Sequence, residues 1–431
     1  MSEDACDPSV SDAEVDRCFS PISDVKAVAL GVSGGSDSMA LLRLFAEWVA
    51  RNGWNGSGLV LTVDHGLRDE SRAEARFVAD VSAKLGFEHR TLSWDGIKPA
   101  SNVQAMAREA RYQLFAVEMA KSNAEVLLLG HHQDDQVETF LDRLTRGSGI
   151  YGLSAMASES ALPSSKARIF RPFLEFPKQR LIASLLERDQ NWCEDPSNEK
   201  SAYKRVRLRK LAQDLSTEGL DLKRLTKTAE RLRRAAAAID QWVAAFMDEY
   251  LRSHAAGPVC LPFSTFSELP EEVRLRALAR LVQRVGAQDY SPRLVKLEAL
   301  DQSLRVSNEH KATLATCVFH KQGGKLFVWR EMGREPPETL ELTGELSPIW
   351  DGRYILTGSP HAFGEERFLG PLGLFPGRQR DLGFAWPTDW PREAFDAAPA
   401  VWSEDGLHFV PGLLEDTLGA HYNCAQVLRH S

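Results

Sequence analysis

Several features that mark common classes of protein are scarce or missing in this chain of 431 residues. Its six cysteines are widely scattered and never spaced Cys-x-x-Cys, so the sequence predicts no disulfide framework and no zinc or iron–sulfur site. It has no apolar run near the roughly 18 residues that span a membrane. The acidic N-terminus is unlike a secretory signal peptide. These absences favour a cytoplasmic protein that has no membrane partner.

The composition is that of a globular protein, with 43% hydrophobic and 26% charged residues. A chain of this length is expected to form several domains. The formal net charge of −8 argues against wholesale nucleic-acid binding, but residues 200–234 hold twelve basic and four acidic residues, a local charge of +8. One interpretation is a solvated helix surface. We favour the other, a face that binds nucleic-acid phosphates.

The most informative segment lies near the N-terminus, where an apolar run at 28–32 is followed by Ser-Gly-Gly-Ser-Asp-Ser at 33–38 and then by a helical pattern. A strand, a tight glycine turn and a helix N-terminus together predict an anion site. A carboxylate at Asp37 would repel phosphate unless a metal lay between them, which indicates a Mg²⁺ ligand. The loop lacks the Gly-Lys-Ser/Thr of a Walker A motif. The alternative is a glycine- and serine-rich turn without a ligand.

Apolar strand patterns and helical patterns alternate through the first 130 residues, which predicts an α/β fold with a parallel sheet covered on both faces. Ligands bind beyond the carboxyl ends of the strands in such sheets. Three polar segments follow predicted strands, at 33–38, 63–68 and 130–139. We therefore expect these segments to form one site.

The third of these segments contains adjacent histidines and aspartates, His131, His132, Asp134 and Asp135, with Glu138 one helical turn later. An acidic helix N-terminus accounts for the aspartates but not for the histidines. Zinc is a second alternative, although this spacing without a separated ligand is a weak zinc signature.

Motifs along the chain resemble those of a known family. Residues 33–38 resemble the pyrophosphate loop (PP-loop) of the ATP pyrophosphatase superfamily. Further motifs resemble the tRNA(Ile)-lysidine synthetase family in the order that this family shows, at residues 63–68, 102–112, 130–139, 143–149, 152–156, 171–174 and 195–198. The element Arg205-Val206-Arg207-Leu208-Arg209 departs from the family pattern, because Val206 stands where asparagine is usual.

The resemblance implies a reaction in which the wobble cytidine of the CAU-anticodon tRNA(Ile) is adenylated by ATP, with pyrophosphate released, and free lysine then displaces AMP to form lysidine. It implies ATP as substrate and Mg²⁺ as cofactor, with Asp37 as metal ligand. The implied ATP-binding residues are Ser33, Gly34, Gly35, Ser36, Asp37, Ser38 and Asp64. The implied catalytic residues are Asp37, Asp134, Asp135, His131, His132, Arg108 and Arg205. The implied tRNA-binding residues are Arg205, Arg209, Lys223, Arg224 and Lys227.

The expected domain organisation has four parts. Residues 1–24 are expected to be an acidic disordered tail, 25–215 a Rossmann-like PP-loop domain, 216–312 a helical tRNA-binding domain and 313–431 a mixed α/β C-terminal module. Two rival functions are a PP-loop tRNA thiolase, which would need reactive cysteine pairs, and a tRNA-binding relative that has lost catalysis. The sequence leaves the oligomeric state open, with a homodimer as one alternative.

Overall fold

The structure is a computed structural model that describes residues 8–66, 71–94, 103–163, 165–194, 204–288, 291–333, 336–342, 349–357, 367–377, 382–415 and 422–426. The chain divides into two compact units, Met1–Ala236 and Ala237–Ser431. None of the helices in these ranges is long and apolar enough to cross a membrane.

The first unit is built on a six-stranded, mostly parallel sheet. Its strands are β1 Ala27–Gly31, β2 Ser57–Asp64, β3 Glu88–Ser93, β4 Val126–Leu129, β5 Glu159–Ala161 and β6 Arg168–Phe170. They lie in the order β3-β2-β1-β4-β6-β5, and only β5 runs antiparallel to its neighbour. Strands β2 and β3 follow β1 on one side of it, and β4 then pairs with β1 on the other side. The predicted parallel α/β fold is confirmed, and its topological switch point lies between β1 and β4.

Helices cover both faces of this sheet. They are α1 Asp12–Phe19, α2 Ser36–Asn52, α3 Ser71–Lys84, α4 Val103–Ser122, α5 Gln133–Leu144, α6 Ile150–Leu153, α7 Lys178–Glu187, α8 Lys204–Thr217 and the first part of α9 Leu222–Tyr250. Alternate residues of β1 point to opposite faces. Val28 and Leu30 join a core with α2 and α7, and Ala29 joins a second core with α4. A strand that is buried on both faces reads as a continuous apolar run, as β1 does.

The prediction of a disordered acidic tail is wrong for residues 8–22. Residues 12–19 form helix α1, and the ring of Phe19 is fully buried, 5.4 Å from Phe45 and 5.5 Å from Trp48. Acidic side chains of this segment pair with basic ones of the sheet domain, including Glu14 with Arg180 at 2.7 Å. The acidic composition of the segment suggested disorder, but the few apolar residues of α1, Val15 and Phe19, are spaced so that they face the core. Residues 1–7 lie outside the described ranges.

Helices α8 and α9 pack on α5 within the first unit. Leu208 and Ala212 from α8, with Leu225 and Ala229 from α9, form a core with apolar residues of α5 such as Phe140. The boundary predicted after residue 215 falls between these two helices, whereas the contacts divide the chain at Ala236 inside α9. The basic segment 200–234 therefore packs, through α8 and α9, against α5, the helix that follows strand β4.

The second unit begins with the rest of α9 and three helices, α10 Phe263–Glu268, α11 Glu271–Gly286 and α12 Leu294–Val306. Their apolar faces share a core with an antiparallel sheet in the order β7-β8-β11-β10-β9. Its strands are β7 Arg252–Ser253, β8 Val259–Pro262, β9 His310–Leu314, β10 Cys317–Gln322 and β11 Lys325–Arg330. The boundary predicted at 312/313 falls inside β9, so it does not separate two folded units.

Two small antiparallel sheets complete the second unit, in the orders β12-β15-β16-β17 and β13-β14-β18. Their strands are β12 Leu340–Glu341, β13 Ile349–Trp350, β14 Tyr354–Thr357, β15 Phe368–Pro371, β16 Pro399–Ser403, β17 Gly406–Phe409 and β18 Asn423–Gln426. This agrees with the predicted succession of an α/β domain, a helical region and a small mixed C-terminal region.

Candidate active site at the carboxyl edge of the parallel sheet

The loop after β1 is shaped to receive an anion. Gly34 has φ +94°, in the region that favours glycine, and Gly35 caps α2 without any side-chain hydrogen bond. The first N–H groups of α2 are therefore available to a ligand. Ser38 holds the turn closed, because its Oγ accepts a hydrogen bond from the Ser33 N–H at 3.1 Å and donates one to the Gly35 carbonyl at 3.0 Å.

Close packing brings the end of β4 against this loop. A Cβ at Gly130 would lie 2.6 Å from the backbone oxygen of Asp37, so any side chain there would force α2 away. Glycine at this position places the segments after β1 and β4 side by side. The expectation that segments 33–38 and 130–139 meet is confirmed.

Three carboxylates surround His132, which caps α5 and is 1% exposed. Its Nε2 lies 3.4 Å from an oxygen of Asp37 and 3.4 Å from one of Asp135, and its Nδ1 lies 3.5 Å from Asp134. Lys178 completes the group, with its Nζ 3.3 Å from Asp37 Oδ1. We call these five residues the charge cluster.

The ionisation of the charge cluster follows from these contacts. Burial disfavours the imidazolium form of His132, but the carboxylates of Asp134, Asp37 and Asp135 outweigh burial and raise its pKa to about 10. Burial likewise works against an ionised Asp37, yet His132 and Lys178 lower the pKa of Asp37 to about 2. The pKa of Asp134 is also lowered, because contact with His132 and a backbone hydrogen bond outweigh its burial. His132 is therefore an imidazolium at neutral pH, and Asp37 and Asp134 are carboxylates.

The two adjacent aspartates hold different structural positions. Asp135 closes a capping box, with its Oδ2 accepting the backbone N–H of His132 at 3.1 Å. Asp134 Oδ2 instead accepts the backbone N–H of Lys178 at 2.9 Å, which ties α5 to the start of α7. Asp134 is also the more exposed of the two, at 31% against 17% of the side chain. Asp134 is therefore better placed to meet a ligand from solvent.

Asp64, at the end of β2, is occupied by local contacts. Its Oδ1 accepts hydrogen bonds from the Gly66 N–H at 2.8 Å and from the Ser71 hydroxyl at 2.6 Å. These bonds lower the pKa of Asp64 and join the end of β2 to the start of α3. Its role in ATP binding stays a prediction.

Arg108 lies on the exposed side of α4, where its guanidinium stands 5.2 Å from the ring of Tyr112. Burial lowers the pKa of both Arg143 and Arg171, and the positive charge of Arg108 lowers both further. The structure thus places Arg108 in a group of arginines, and within the described ranges no contact joins Arg108 to the charge cluster. His131 precedes the cluster and is half-buried. The catalytic roles of Arg108 and His131 stay predictions.

The residues predicted to contact tRNA fall into two groups. Arg209 pairs through its Nε with Glu138, which is 4% exposed and lies on α5. Lys223 and Lys227 are exposed on α9, and the described residues show no ion pair for either. Arg224 is also exposed but donates to the Gly219 carbonyl at 2.6 Å. The side chain of Arg205, which is on α8, lies outside what the structure describes.

Sequence reasoning missed Lys178, the second cation at Asp37. Lys178 is 141 residues from Asp37 in the chain, and it follows a proline at the start of α7 like many exposed helix-initiating lysines. No local pattern indicates such a contact. Sequence reasoning also missed that Glu138 is the buried partner of Arg209.

One residue of the site, Asp37, fits a magnesium ligand. Within the described ranges, no group of three His, Cys, Asp or Glu side chains is arranged to hold a metal. Mg²⁺, however, is commonly bound by one or two carboxylates together with substrate phosphates and water, rather than by an all-protein cage. Asp37 offers an ionised, one-third exposed carboxylate in the first turn of the loop helix, as this mode of binding requires.

The cysteines of the described ranges do not form the pairs that sulfur transfer needs. Cys18, Cys193, Cys260, Cys317 and Cys424 are all free, and Cys6 lies outside the described ranges. Burial raises the pKa of Cys193, the cysteine beside the loop, so it is a protonated thiol at neutral pH. These observations do not favour a thiolase.

Comparison with known proteins agrees with this geometry. Residues 9–215 match the family model of the PP-loop domain. A tRNA(Ile)-lysidine synthase from Bradyrhizobium sp. (strain BTAi1) is 41% identical over 307 residues, 68% of this chain and 85% of the relative. The tRNA(Ile)-lysidine synthase of Ruegeria pomeroyi is 36% identical over 387 residues, 90% of this chain and 88% of the relative.

Among solved structures, a U34-tRNA thiolase from Methanococcus maripaludis is similar, with 16% identity and a TM-score of 0.45, over 51% of this chain and 77% of that one. This likeness supports no argument about activity. The similarity to the synthases, in contrast, extends over most of both chains, and the residues that match the PP-loop domain include the loop and the charge cluster. On these grounds the chain belongs to the tRNA(Ile)-lysidine synthase family.

Proposed function

We propose that this enzyme ligates free lysine to C2 of the wobble cytidine of the CAU-anticodon tRNA(Ile), using its charge cluster for both steps. In the first step the C2 carbonyl oxygen attacks the α-phosphate of ATP, and the bond to pyrophosphate breaks. In the second step the ε-amine of lysine attacks C2, and AMP leaves with the oxygen. The product is lysidine, and the enzyme is an ATP-dependent carbon–nitrogen ligase.

The observation that carries the proposal is the charge cluster directly beside the anion loop. We assign the phosphates of ATP to the free N–H groups of the loop and to the exposed hydroxyl of Ser33, where negative charge accumulates as pyrophosphate departs. We assign to Asp37 the role of holding Mg²⁺, which would neutralise phosphate charge when bound. The part of the site formed by the loop and Asp37 is thus suited to a nucleoside triphosphate.

The second step needs a group that receives a cationic nucleophile. Free lysine carries an ammonium whose pKa is near 10.4, so it arrives charged and must lose a proton before attack. An ionised, partly exposed carboxylate such as Asp134 binds an ammonium well, and Asp135 lies beside it. We assign the ammonium to this pair of carboxylates. The buried imidazolium of His132 keeps both carboxylates in place.

The tRNA is held by the basic helices in this proposal. Lys223 and Lys227 are exposed on α9, and this part of α9 packs through α8 onto α5, the helix that carries the aspartates. Phosphate contacts on these helices would set the position of the anticodon stem, while the cytidine is unstacked to enter the site. The free cysteines are consistent with a reducing cytoplasm.

The test is a reconstituted reaction with a CAU-anticodon tRNA(Ile) transcript, ATP and lysine. We expect pyrophosphate release to require the tRNA, AMP release to require lysine, and the digested tRNA to contain a cytidine enlarged by one lysine. A tRNA(Met) transcript, which shares the CAU anticodon, is the matched control and should not be modified. A tRNA that gains sulfur, or one that binds without pyrophosphate release, would contradict the proposal. Sedimentation of the same sample distinguishes a monomer from a homodimer.

A further inference from the structure

Lys178 is the second basic side chain, after His132, that contacts Asp37, the carboxylate that we assign as the metal ligand. Its Nζ lies 3.3 Å from Oδ1 and 3.4 Å from Oδ2 of Asp37. Oδ2 also faces Nε2 of His132 at 3.4 Å, and Oδ1 accepts the hydroxyl of Ser36 at 3.1 Å. Both oxygens of Asp37 therefore have partners within the chain.

The charges of the cluster show what Lys178 contributes. Three carboxyl groups, those of Asp37, Asp134 and Asp135, lie around His132, and Lys178 is a further basic side chain that contacts both oxygens of Asp37. Without Lys178, Asp37 would attract a divalent cation more strongly. His132 is fully buried and cannot leave, whereas Lys178 is 29% exposed at the end of a flexible stem.

We propose that Lys178, through its contact with Asp37, competes with the divalent cation for this carboxylate. This inference rests on the proposed role of Asp37 as the metal ligand. It makes Lys178 a positioning residue, which acts through Asp37 and sets how readily the site takes up its metal. The enzyme thereby keeps an ionised, correctly placed carboxylate without needing to hold a metal between turnovers.

The backbone of Lys178 allows a clean test. Its N–H, not its side chain, bonds Asp134, so replacing the side chain leaves the link between α5 and α7 intact. Lys178→Met removes the charge and keeps a similar stem, and Lys178→Arg keeps the charge. Lys121→Met is the matched control, because Lys121 also pairs with a carboxylate, Glu118 at 3.1 Å, but lies at the C-terminal end of α4.

The experiment is a titration of the full-length protein with Mn²⁺ in the absence of nucleotide, followed by electron paramagnetic resonance. We expect Lys178→Met to bind Mn²⁺ roughly five- to tenfold more tightly than the wild type, which is the scale of one lost part-buried ion pair. Lys178→Arg should bind no more tightly than the wild type, and Lys121→Met should match it. Thermal melting without metal verifies that each variant is folded.

Asp37→Asn, alone and combined with Lys178→Met, separates this inference from the proposed function. If Asp37→Asn abolishes the Mn²⁺ site and the double variant shows no gain, both ideas are supported. If Asp37→Asn abolishes the site but Lys178→Met binds like the wild type, competition by Lys178 is wrong and the metal role of Asp37 stands. If Asp37→Asn binds Mn²⁺ normally, the metal role fails, and the inference fails with it.

Discussion

Two regions of the first unit use charge in opposite ways. In the charge cluster, carboxylates and cations neutralise one another at 3.3–3.5 Å around a buried imidazolium. On α9, Lys223 and Lys227 point to solvent with no ion pair in the described residues. Paired charges inside a protein fix geometry, whereas exposed ones produce a field that attracts phosphates and is screened by salt. Local charge density alone therefore does not show whether a residue positions a group or attracts a partner.

The largest effect is expected from the aspartates of the cluster. Asp134→Asn and Asp135→Asn should each lower lysidine formation about a hundredfold or more, as for other groups that bind and deprotonate a nucleophile. Because Asp134 is the more exposed of the two, we expect Asp134→Asn to retain pyrophosphate release and to accumulate adenylated tRNA. Rapid-quench measurement of pyrophosphate and of the adenylated tRNA tests this. Equal loss of both half-reactions in both variants would contradict a division of labour between the two carboxylates.

Removing the imidazolium should cost stability in a way that depends on pH. His132→Gln leaves three carboxylates around an uncharged group and should lower the free energy of unfolding by about 3 kcal/mol at pH 7. The pKa of His132 is about 10 in the folded protein, against the ordinary value of 6.5 for histidine. The stabilisation is thus complete below pH 6.5 and is lost as the pH rises through 10. Urea unfolding of wild type and variant between pH 6 and 10 measures this convergence.

The control for this experiment is His89→Gln. His89 bonds Thr62 at 2.9 Å, and burial lowers its pKa, so the neutral form is the stable one. Its replacement should give a difference in stability that does not shrink between pH 7 and pH 10. A His132→Gln difference that stays constant over the same range would show that the imidazolium is not formed.

Arg209 tests the comparison between paired and exposed charges. It lies on the basic helix α8, yet it is paired with a buried carboxylate, as the charges of the cluster are. Arg209→Ala removes a cation from the buried carboxylate of Glu138 and should destabilise the fold by about 2 kcal/mol, less than the loss of a fully buried pair because Arg209 is 41% exposed. Lys210→Ala, at the exposed neighbouring position, should change stability by less than about 0.5 kcal/mol.

Combining Arg209→Ala with Glu138→Gln should recover part of the lost stability, because the buried charge at residue 138 is then removed as well. The salt dependence of tRNA binding should be unchanged by Arg209→Ala if the charge is used within the protein. A flatter salt dependence would return Arg209 to the residues that contact tRNA.

A smaller effect is expected on the exposed side. The double variant Lys223→Ala, Lys227→Ala should weaken tRNA binding and flatten the log–log salt dependence by about 0.7 to 0.9 per lost phosphate contact. Nitrocellulose filter binding across a range of salt concentrations measures both. ATP affinity should be unchanged, because neither side chain belongs to the charge cluster. An unaltered slope would mean that these lysines form only a solvated surface.

The smallest effect is expected at Cys193, which touches the loop but has no proposed chemistry. Its backbone N–H donates to the Gly34 carbonyl at 2.9 Å, and this bond does not depend on the side chain. Cys193→Ser should therefore keep the rate of pyrophosphate release within about a factor of two. Loss of activity in a folded Cys193→Ser protein would revive the thiolase interpretation.

The sequence by itself determined the α/β fold and the identity of the loop. The alternation of apolar strands with helical patterns, and the glycines that end β1 and β4, are local signals that survive without tertiary information. The adjacency of segments 33–38 and 130–139 also followed, because parallel strands present their carboxyl ends at one edge. The family resemblance supplied the reaction.

Only the tertiary structure decided which charges pair. The contact of Lys178 with Asp37, the burial of Glu138 under Arg209 and the packing of Phe19 against Phe45 each join residues far apart in the chain. An ion pair depends on distance and on exclusion of water, and neither is encoded in the local pattern of a single segment. For the same reason, the acidic N-terminal helix looked like a tail until its partners Arg51 and Arg180 were in place.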